Sequence, residues 1–356
     1  MPLAVRELHI GVEQLLEMER NLWNERYVRA LMNANGQFVP VSVRYRGGHT
    51  REYPKRSYEV VRQGQTFHYN AEFDDPSLIR NALSFRFLEQ LGVPSPRTKH
   101  VRLVLNGEPL GVYLEIEGVD RRFFRRRGIG FTSLFYAVNN NADFGLRNPE
   151  TNRLKPSLLA GYEHKAGGEE ERARLASFIR GINSPDGGSK GMAFYRARLD
   201  VDNYLRWLAG AVLTGNYDGF EQNYALYRHR KSGKFRIIPW DYEGTWGRNC
   251  YGQSVSSRLV EVTGYNVLTA KLLEHKALRR RYGDILASAL KGPFTEHRIM
   301  PDAKAMMASV APYIRLDRTR KWSYEEFLNE ASVIRQYIRE RRAIVSSDLR
   351  KMIPSN

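Results

Sequence analysis

Two aspartates and an asparagine carry the clearest chemical signal in this chain. Asp218 stands five residues before Asn223 and 23 before Asp241. They lie in the runs Asn-Tyr-Asp-Gly-Phe-Glu-Gln-Asn-Tyr-Ala-Leu-Tyr (216–227) and Ile-Ile-Pro-Trp-Asp-Tyr-Glu-Gly-Thr-Trp-Gly (237–247). A carboxylate can accept a hydrogen bond from an attacking hydroxyl and align it. Carboxylate and amide oxygens are also the hard donors that suit Mg²⁺. Phosphoryl transfer needs both functions in one place.

The elements around these residues must bring them together. Tyr224 to Arg230 reads as a strand, Lys231-Ser232-Gly233 as a turn, and Lys234 to Pro239 as the returning strand. A helical run from Val201 to Thr214, with Asp200 as its cap, leads into Asp218. One carboxylate therefore lies at the mouth of the hairpin and the other just beyond its end, which predicts Asp218, Asn223 and Asp241 within a few side-chain lengths. Protein kinases place an Asp, an Asn five residues later and a further Asp about one hairpin downstream. The offset and the hairpin match that arrangement. The flanking letters do not, since His-Arg-Asp is missing and Trp-Asp-Tyr stands where Asp-Phe-Gly would. Asp and Asn are also favoured in turns for local reasons, so spacing alone only suggests this chemistry.

Composition sets the bounds. The chain has 356 residues, 42% of them hydrophobic, enough for a sizeable core and a two-lobed or two-domain organisation. With 56 basic against 39 acidic residues the net charge is +17, which implies an anionic partner: nucleotide, nucleic acid or an acidic surface. Cys250 is the only cysteine, so this chain can form no internal disulfide and no cysteine-based structural zinc site. The opening residues lack the pattern of a signal peptide, and no apolar run is long enough to span a bilayer. The expectation is a soluble protein of a reducing compartment.

Taken in order, the chain is β-rich first and helical later. A helical segment covers about Val12 to Trp23, and Tyr27–Asn33 and Phe38–Arg46 flank the Asn35-Gly36 turn. Gly47 and Gly48 leave that second strand ahead of a basic stretch containing Lys55 and Arg56. Backbone amides there could cover phosphates while an ammonium points at them. Asp75 and Pro76 predict a helix start running to Leu91. Thr98–Leu105 and Gly111–Glu117 form a hairpin around Asn106-Gly107. Glu115 and Glu117 share a face of its second strand, from which one could pair with Lys55 or Arg56. A short basic helix, 120–127, opens an irregular region with loops at 139–141, 148–149 and 183–191 and a helix at 169–180. Helical periodicity then covers 267–290, 301–314 and 324–352. The fold class is α+β, with a β-rich lobe over 1–125 and a mainly helical lobe over 126–356 that carries the hairpin.

Several of these runs resemble the CotH spore-coat kinase family. They are Arg44-Tyr45-Arg46-Gly47-Gly48-His49 with Pro54-Lys55-Arg56-Ser57-Tyr58, and Asp-x-Ser-x-x-Arg-Asn from Asp75 to Asn81. Leu-Asn-Gly followed by Gly-Val-Tyr-Leu-Glu-Ile-Glu, Tyr-Asp before Asn-Tyr-Ala-Leu-Tyr, and Ile-Pro-Trp-Asp-Tyr-Glu-Gly-Thr-Trp-Gly complete the order from about Tyr27 to Gly247. The resemblance implies an atypical protein-kinase-like, two-lobed fold that uses ATP and Mg²⁺ to phosphorylate serine in Ser-rich spore coat proteins. It also implies synthesis in the mother-cell cytoplasm, residence in the coat, and neither nucleic acid nor membrane as partner. Asp218 matches the catalytic aspartate, Asp241 the metal-binding aspartate and Asn223 the second metal ligand. Lys55 is taken as the phosphate-binding lysine with Glu117 as its acidic partner, Gly47 and Gly48 as the phosphate cover, and Arg56 and Glu115 as adjacent alternatives. Glu243 stands where the family often has a second Asp, which leaves its metal role open. The competing readings are a non-catalytic coat-assembly scaffold, a Mg²⁺-dependent nuclease, and transfer of AMP in place of phosphate.

Overall fold

The computed structural model describes residues 2–33, 36–184 and 189–352. Ala34 and Asn35 of the first expected turn and residues 185–188 of the expected 183–191 loop lie outside them. The chain divides into two compact units. One comprises Met1–Ala82, Pro96–Arg127 and Pro301–Ala331; the other comprises Leu83–Ser95, Gly128–Met300 and Ser332–Asn356.

The first unit is built on a closed barrel of seven strands. In chain order these are β1 (Ala4–Ile10), β2 (Val28–Asn33), β3 (Phe38–Arg46), β4 (Ser57–Arg62), β5 (Gln65–Asn70), β6 (Thr98–Leu105) and β7 (Glu108–Glu117). They run around the barrel as β1-β2-β3-β4-β5-β7-β6. Alternation decides which face turns in: Val28, Ala30 and Met32 of β2 are buried, as are Val41, Val43 and Tyr45 of β3. Tyr58, Tyr69 and Tyr113 add bulk to the same core. β1 pairs antiparallel with β2 and parallel with β6, Ala4 opposite Val101 and Leu8 opposite Leu105. That parallel pairing closes the barrel and leaves no open sheet edge. β1 has no counterpart in the sequence reading, because Arg6 and Glu7 interrupt its apolar pattern. Arg6 is accommodated by an ion pair to Glu115, Nε to Oε2 at 2.6 Å. Helices α1 (Val12–Arg20) and α3 (Arg121–Arg126) belong to this unit, the latter capped by Asp120.

The helix expected from Asp75 begins five residues later, as α2 (Arg80–Gln90). Asp75 instead closes a turn, accepting from the backbone N–H groups of Ser77 and Arg80 at 2.8 and 2.9 Å. Leu78 sits in the left-handed region with φ 61°, which a helix does not allow. The turn is held by a buried network in which the Arg80 guanidinium bonds Asp75 and Glu330, each at 2.5 Å.

The second unit holds a four-stranded sheet in the order β11-β10-β8-β9. Its strands are β8 (Phe131–Ala137), β9 (Tyr162–Ala166), β10 (Tyr224–His229) and β11 (Phe235–Pro239). β8 and β9 fall in the region expected to be irregular. The helices are α4 (Glu169–Ile182), α5 (Ser189–Arg198), α6 (Val201–Thr214), α7 (Val267–Glu274), α8 (Lys276–Lys291), α9 (Glu296–Ile314) and α10 (Tyr324–Met352). The run expected over 267–290 is broken at His275, whose extended ψ of 115° separates α7 from α8. Among these helices α9 and α10, like α2, contribute residues to both units. α6 is capped by Asp200 and buried continuously from Trp207 to Thr214, so it forms the centre of this unit's core.

Candidate active site

The site is assembled at the end of α6. Gly215 terminates the helix with φ 74°, the left-handed conformation that glycine adopts without steric cost. A Cβ there would also lie 2.5 Å from the Tyr337 hydroxyl oxygen. The chain then makes one 3₁₀ turn, Tyr217–Gly219, which presents Asp218 half-buried at its centre.

Asp218 is held by amides. Gln222 Nε2 donates to Oδ1 at 2.7 Å and Asn223 Nδ2 donates to Oδ2 at 2.8 Å. Asn223 is itself fixed by its backbone, its N–H donating to the Ala137 carbonyl at 3.0 Å and its carbonyl accepting from Trp240 N–H at 3.1 Å. That second bond continues the β10–β11 ladder, in which Tyr224 faces Pro239, so Asp241 follows directly on Asn223's partner. Asn223 and Asp241 both have left-handed backbones, with φ 57° and 54°. Such conformations in non-glycine residues cluster at functional sites, where the surrounding structure imposes them. Here the surroundings are packed: Trp240 stacks on Tyr136, Tyr242 is fully buried, and Trp246 donates to Thr214 through its backbone and to Ser84 Oγ through Nε1.

Cys250 reports on the charge nearby. Its thiol is pushed up first by burial and then by the negative charges of Asp218, Glu243 and Asp241, while a hydrogen bond with Tyr217 works the other way. Tyr217 Oη lies 3.0 Å from the sulfur. Three carboxylates thus act electrostatically on one thiol, and the raised pKa argues against a nucleophilic cysteine. Glu221, on the same loop, is raised by burial and by the charges of Asp143 and Asp218.

The donors suit Mg²⁺. With Nδ2 given to Asp218, Asn223 has its amide oxygen left as a ligand atom, and Asp241 supplies a carboxylate. Among the described residues no group of three or more His, Cys, Asp or Glu side chains forms a metal cage. Mg²⁺ commonly binds through one or two carboxylates together with water and substrate phosphates, so a sparse set of this kind fits it.

The expected pair between Lys55 and Glu117 is not formed, and neither alternative replaces it. Lys55 Nζ donates to the Val112 carbonyl at 3.0 Å and to Asp317 Oδ2 at 3.1 Å, above the Tyr113 ring. Both side chains of that pair are only 2% exposed. Glu117 is taken by Arg126 and Arg127 at 2.8 and 2.9 Å, Glu115 by Arg6, and Arg56 by Glu19 and Tyr45. Distance along the strand is the reason. Val112 precedes Glu117 by five residues, roughly 17 Å of β-strand. Glu117 lies at the end of β7, where α3 turns back and delivers its arginines. Burial lowers the Lys55 pKa despite Asp317. Burial raises Asp317, but Lys55 and Thr319 outweigh it and hold the carboxyl below its usual value. Gly47 carries φ 105°, and its carbonyl accepts from Arg51 Nε at 2.8 Å.

Asp317 and Gln222 escaped the sequence reading. Asp317 does carry a local signal, since Thr319 caps it through both N–H (2.9 Å) and Oγ1 (2.5 Å). Nothing local points from it to Lys55, and nothing marks Gln222.

The family description "CotH kinase protein" matches residues 43–345. The chain belongs to the CotH kinase family. It is 37% identical over 355 residues to the inner spore coat protein H of Bacillus subtilis (strain 168), covering 98% of each chain. An inner spore coat protein H-like protein of the same organism is 24% identical, over 84% of this chain and 87% of its own. Among solved structures, the proinflammatory kinase CtkA of Helicobacter pylori aligns at 11% identity over 83% of this chain and 94% of its own, with a TM-score of 0.34. The family match includes both Asp218 and Asp241. Among the described residues no helix is long and apolar enough to cross a membrane.

Proposed function

We propose that this chain is a protein kinase that transfers the γ-phosphate of ATP to serine residues of spore coat proteins. Membership of the CotH kinase family and the spore-coat relatives support that reading. The observation that carries it is the hydrogen bond from Asn223 to Asp218, coupled through the strand pair to the residue preceding Asp241.

In this reading Asp218 accepts a hydrogen bond from the substrate hydroxyl and aligns it. The amides of Gln222 and Asn223 fix its direction without neutralising its charge. Asp241 and the amide oxygen of Asn223 would hold Mg²⁺, which supplies charge stabilisation to the phosphates of ATP. Lys55 remains the candidate phosphate-binding lysine, now with Asp317 in the role first given to Glu117. Gly47 and Gly48 remain candidates to cover phosphates. Rate enhancement would come from positioning and preorganised charge.

The test is incubation with γ-³²P-ATP and Mg²⁺, with and without a Ser-rich coat protein, beside Asp241→Ala. Label on serine that disappears in the variant is the expected result. Absence of label together with absence of ATP binding by calorimetry would leave a coat-assembly scaffold as the better reading.

A further inference from the structure

Within the second unit a cavity of about 820 Å³ lies between the 258–263 segment and the last turns of α10. That volume falls in the range of small-molecule sites, roughly 300–1,000 Å³. Its apolar lining residues are Val260, Val262, Ile344 and Met352, the two valines being only 2% and 5% exposed. Its wall is braced from behind: Tyr282 Oη donates to the Val262 carbonyl at 2.7 Å and Arg341 Nη1 to the Ser257 carbonyl at 2.9 Å. Tyr265 Oη ties the same segment together, donating to the Leu259 carbonyl at 3.0 Å and accepting from Glu261 N–H at 3.1 Å. The cavity is therefore preformed.

The charges around it are unequal in their commitments. Asp348 is engaged by Lys351 at 3.2 Å, and Glu261 accepts weakly from Thr263 Oγ1 at 3.4 Å. Arg258 and Arg279 also line the cavity, and among the described residues neither guanidinium forms an ion pair. Arg279 Nη1 donates to the Leu273 carbonyl at 3.3 Å. A guanidinium beside apolar surface is suited to the head of an amphipathic anion, because its planar donors match a carboxylate or phosphate.

We propose that this cavity binds small amphipathic anions, with an aromatic or alkyl body over Val260, Val262 and Ile344 and the anionic head on Arg258 and Arg279. The proposal does not depend on the kinase reading.

The probe is 1-anilinonaphthalene-8-sulfonate, titrated by fluorescence into the full chain. One saturable site is expected, with affinity falling about tenfold in Arg258→Ala, as loss of one charge-assisted contact implies. Thr263→Trp, which narrows the cavity from an exposed position, should weaken binding while leaving thermal unfolding unchanged. The uncharged analogue N-phenyl-1-naphthylamine should bind at least about tenfold more weakly than the sulfonate, for the same reason. No saturable site would overturn the proposal, and so would binding unchanged by both substitutions. Equal affinity for the two probes would overturn the assignment of the arginines. Should Thr263→Trp fail to fold, Arg258→Ala and the neutral probe still decide the question.

Discussion

The carboxylates of the barrel unit and Asp218 at the hairpin are held in different ways, although the hairpin unit also pairs Asp143 with Lys155 and Glu171 with Arg228. In the barrel unit acids meet cations: Lys55 with Asp317, Glu117 with two arginines, Glu115 with Arg6, and Arg80 with Asp75 and Glu330. At the hairpin, Asp218 is held by the neutral amides of Gln222 and Asn223. A cation fixes a carboxylate by neutralising it, whereas an amide fixes it and leaves the charge intact. Ion pairs of the first kind build architecture, since breaking a buried one leaves an uncompensated charge in a poor solvent. Amide-held carboxylates keep their charge available to a hydroxyl or a metal ion. The proposed site lies on the amide-held side of that contrast. It also raises a specific question about Lys55, which sequence reasoning placed in the site and the structure places in a buried pair.

The largest effects should come from the hairpin. Asp218→Ala and Asp241→Ala should each reduce phosphotransfer by about 10³-fold or more, with thermal unfolding close to wild type. Either variant retaining near-normal ³²P transfer would erase the distinction between the two units. Next is the Lys55–Asp317 pair, where Lys55→Met or Asp317→Asn alone should cost about 3–5 kcal/mol of stability in denaturant titration. The double substitution Lys55→Met with Asp317→Leu should restore much of that stability but not phosphotransfer. Recovery of both would make Lys55 purely architectural and sharpen the contrast further.

A third test uses pH. Burial pushes Glu59 up, but His68, Arg44 and the Tyr27 hydroxyl outweigh it and hold the carboxyl down at about 2, against 4.5 for the ordinary group. A depressed carboxylate contributes stability above its unfolded value and loses it as pH falls through its folded value. Wild type should therefore lose about 3 kcal/mol more than Glu59→Gln between pH 5 and pH 2. Equal acid sensitivity would show that His68, Arg44 and Tyr27 do not hold the Glu59 carboxyl down. The smallest effect concerns Cys250. Its raised thiol pKa predicts slow alkylation by iodoacetamide at pH 7.5, and Asp241→Asn, by removing a negative charge, should speed it about twofold to fivefold. An unchanged rate would show that Asp241 exerts no field there.

Much of the hairpin was legible because its information is local. The expected helix Val201–Thr214 matches α6 end for end, and the expected strands 224–230 and 234–239 differ from β10 and β11 by one residue each. Turn chemistry and alternation specify such a hairpin, and the hairpin then brings Asn223 opposite Trp240, beside Asp241. The failures were of two kinds. Asp75 carried a cap signal that was used for a side-chain turn: its carboxylate accepts from the Ser77 and Arg80 N–H groups and from the Arg80 guanidinium, which Glu330 holds from 250 positions away. β1 was obscured by Arg6 and Glu7, charges tolerable in a barrel strand only because Glu115 lies within reach of Arg6.

The sequence by itself determined the short-range geometry of Asp218, Asn223 and Asp241, since a five-residue loop and a tight hairpin allow few arrangements. Only the tertiary structure decided which acid Lys55 meets. Asp317 lies 262 positions away, and Arg80 meets Glu330 across 250. Periodicity and capping act over a few residues, so they can orient a charged side chain but cannot choose its partner. That choice belongs to the closure of the barrel and the return of the chain to it, where burial makes an unpaired charge too costly to leave.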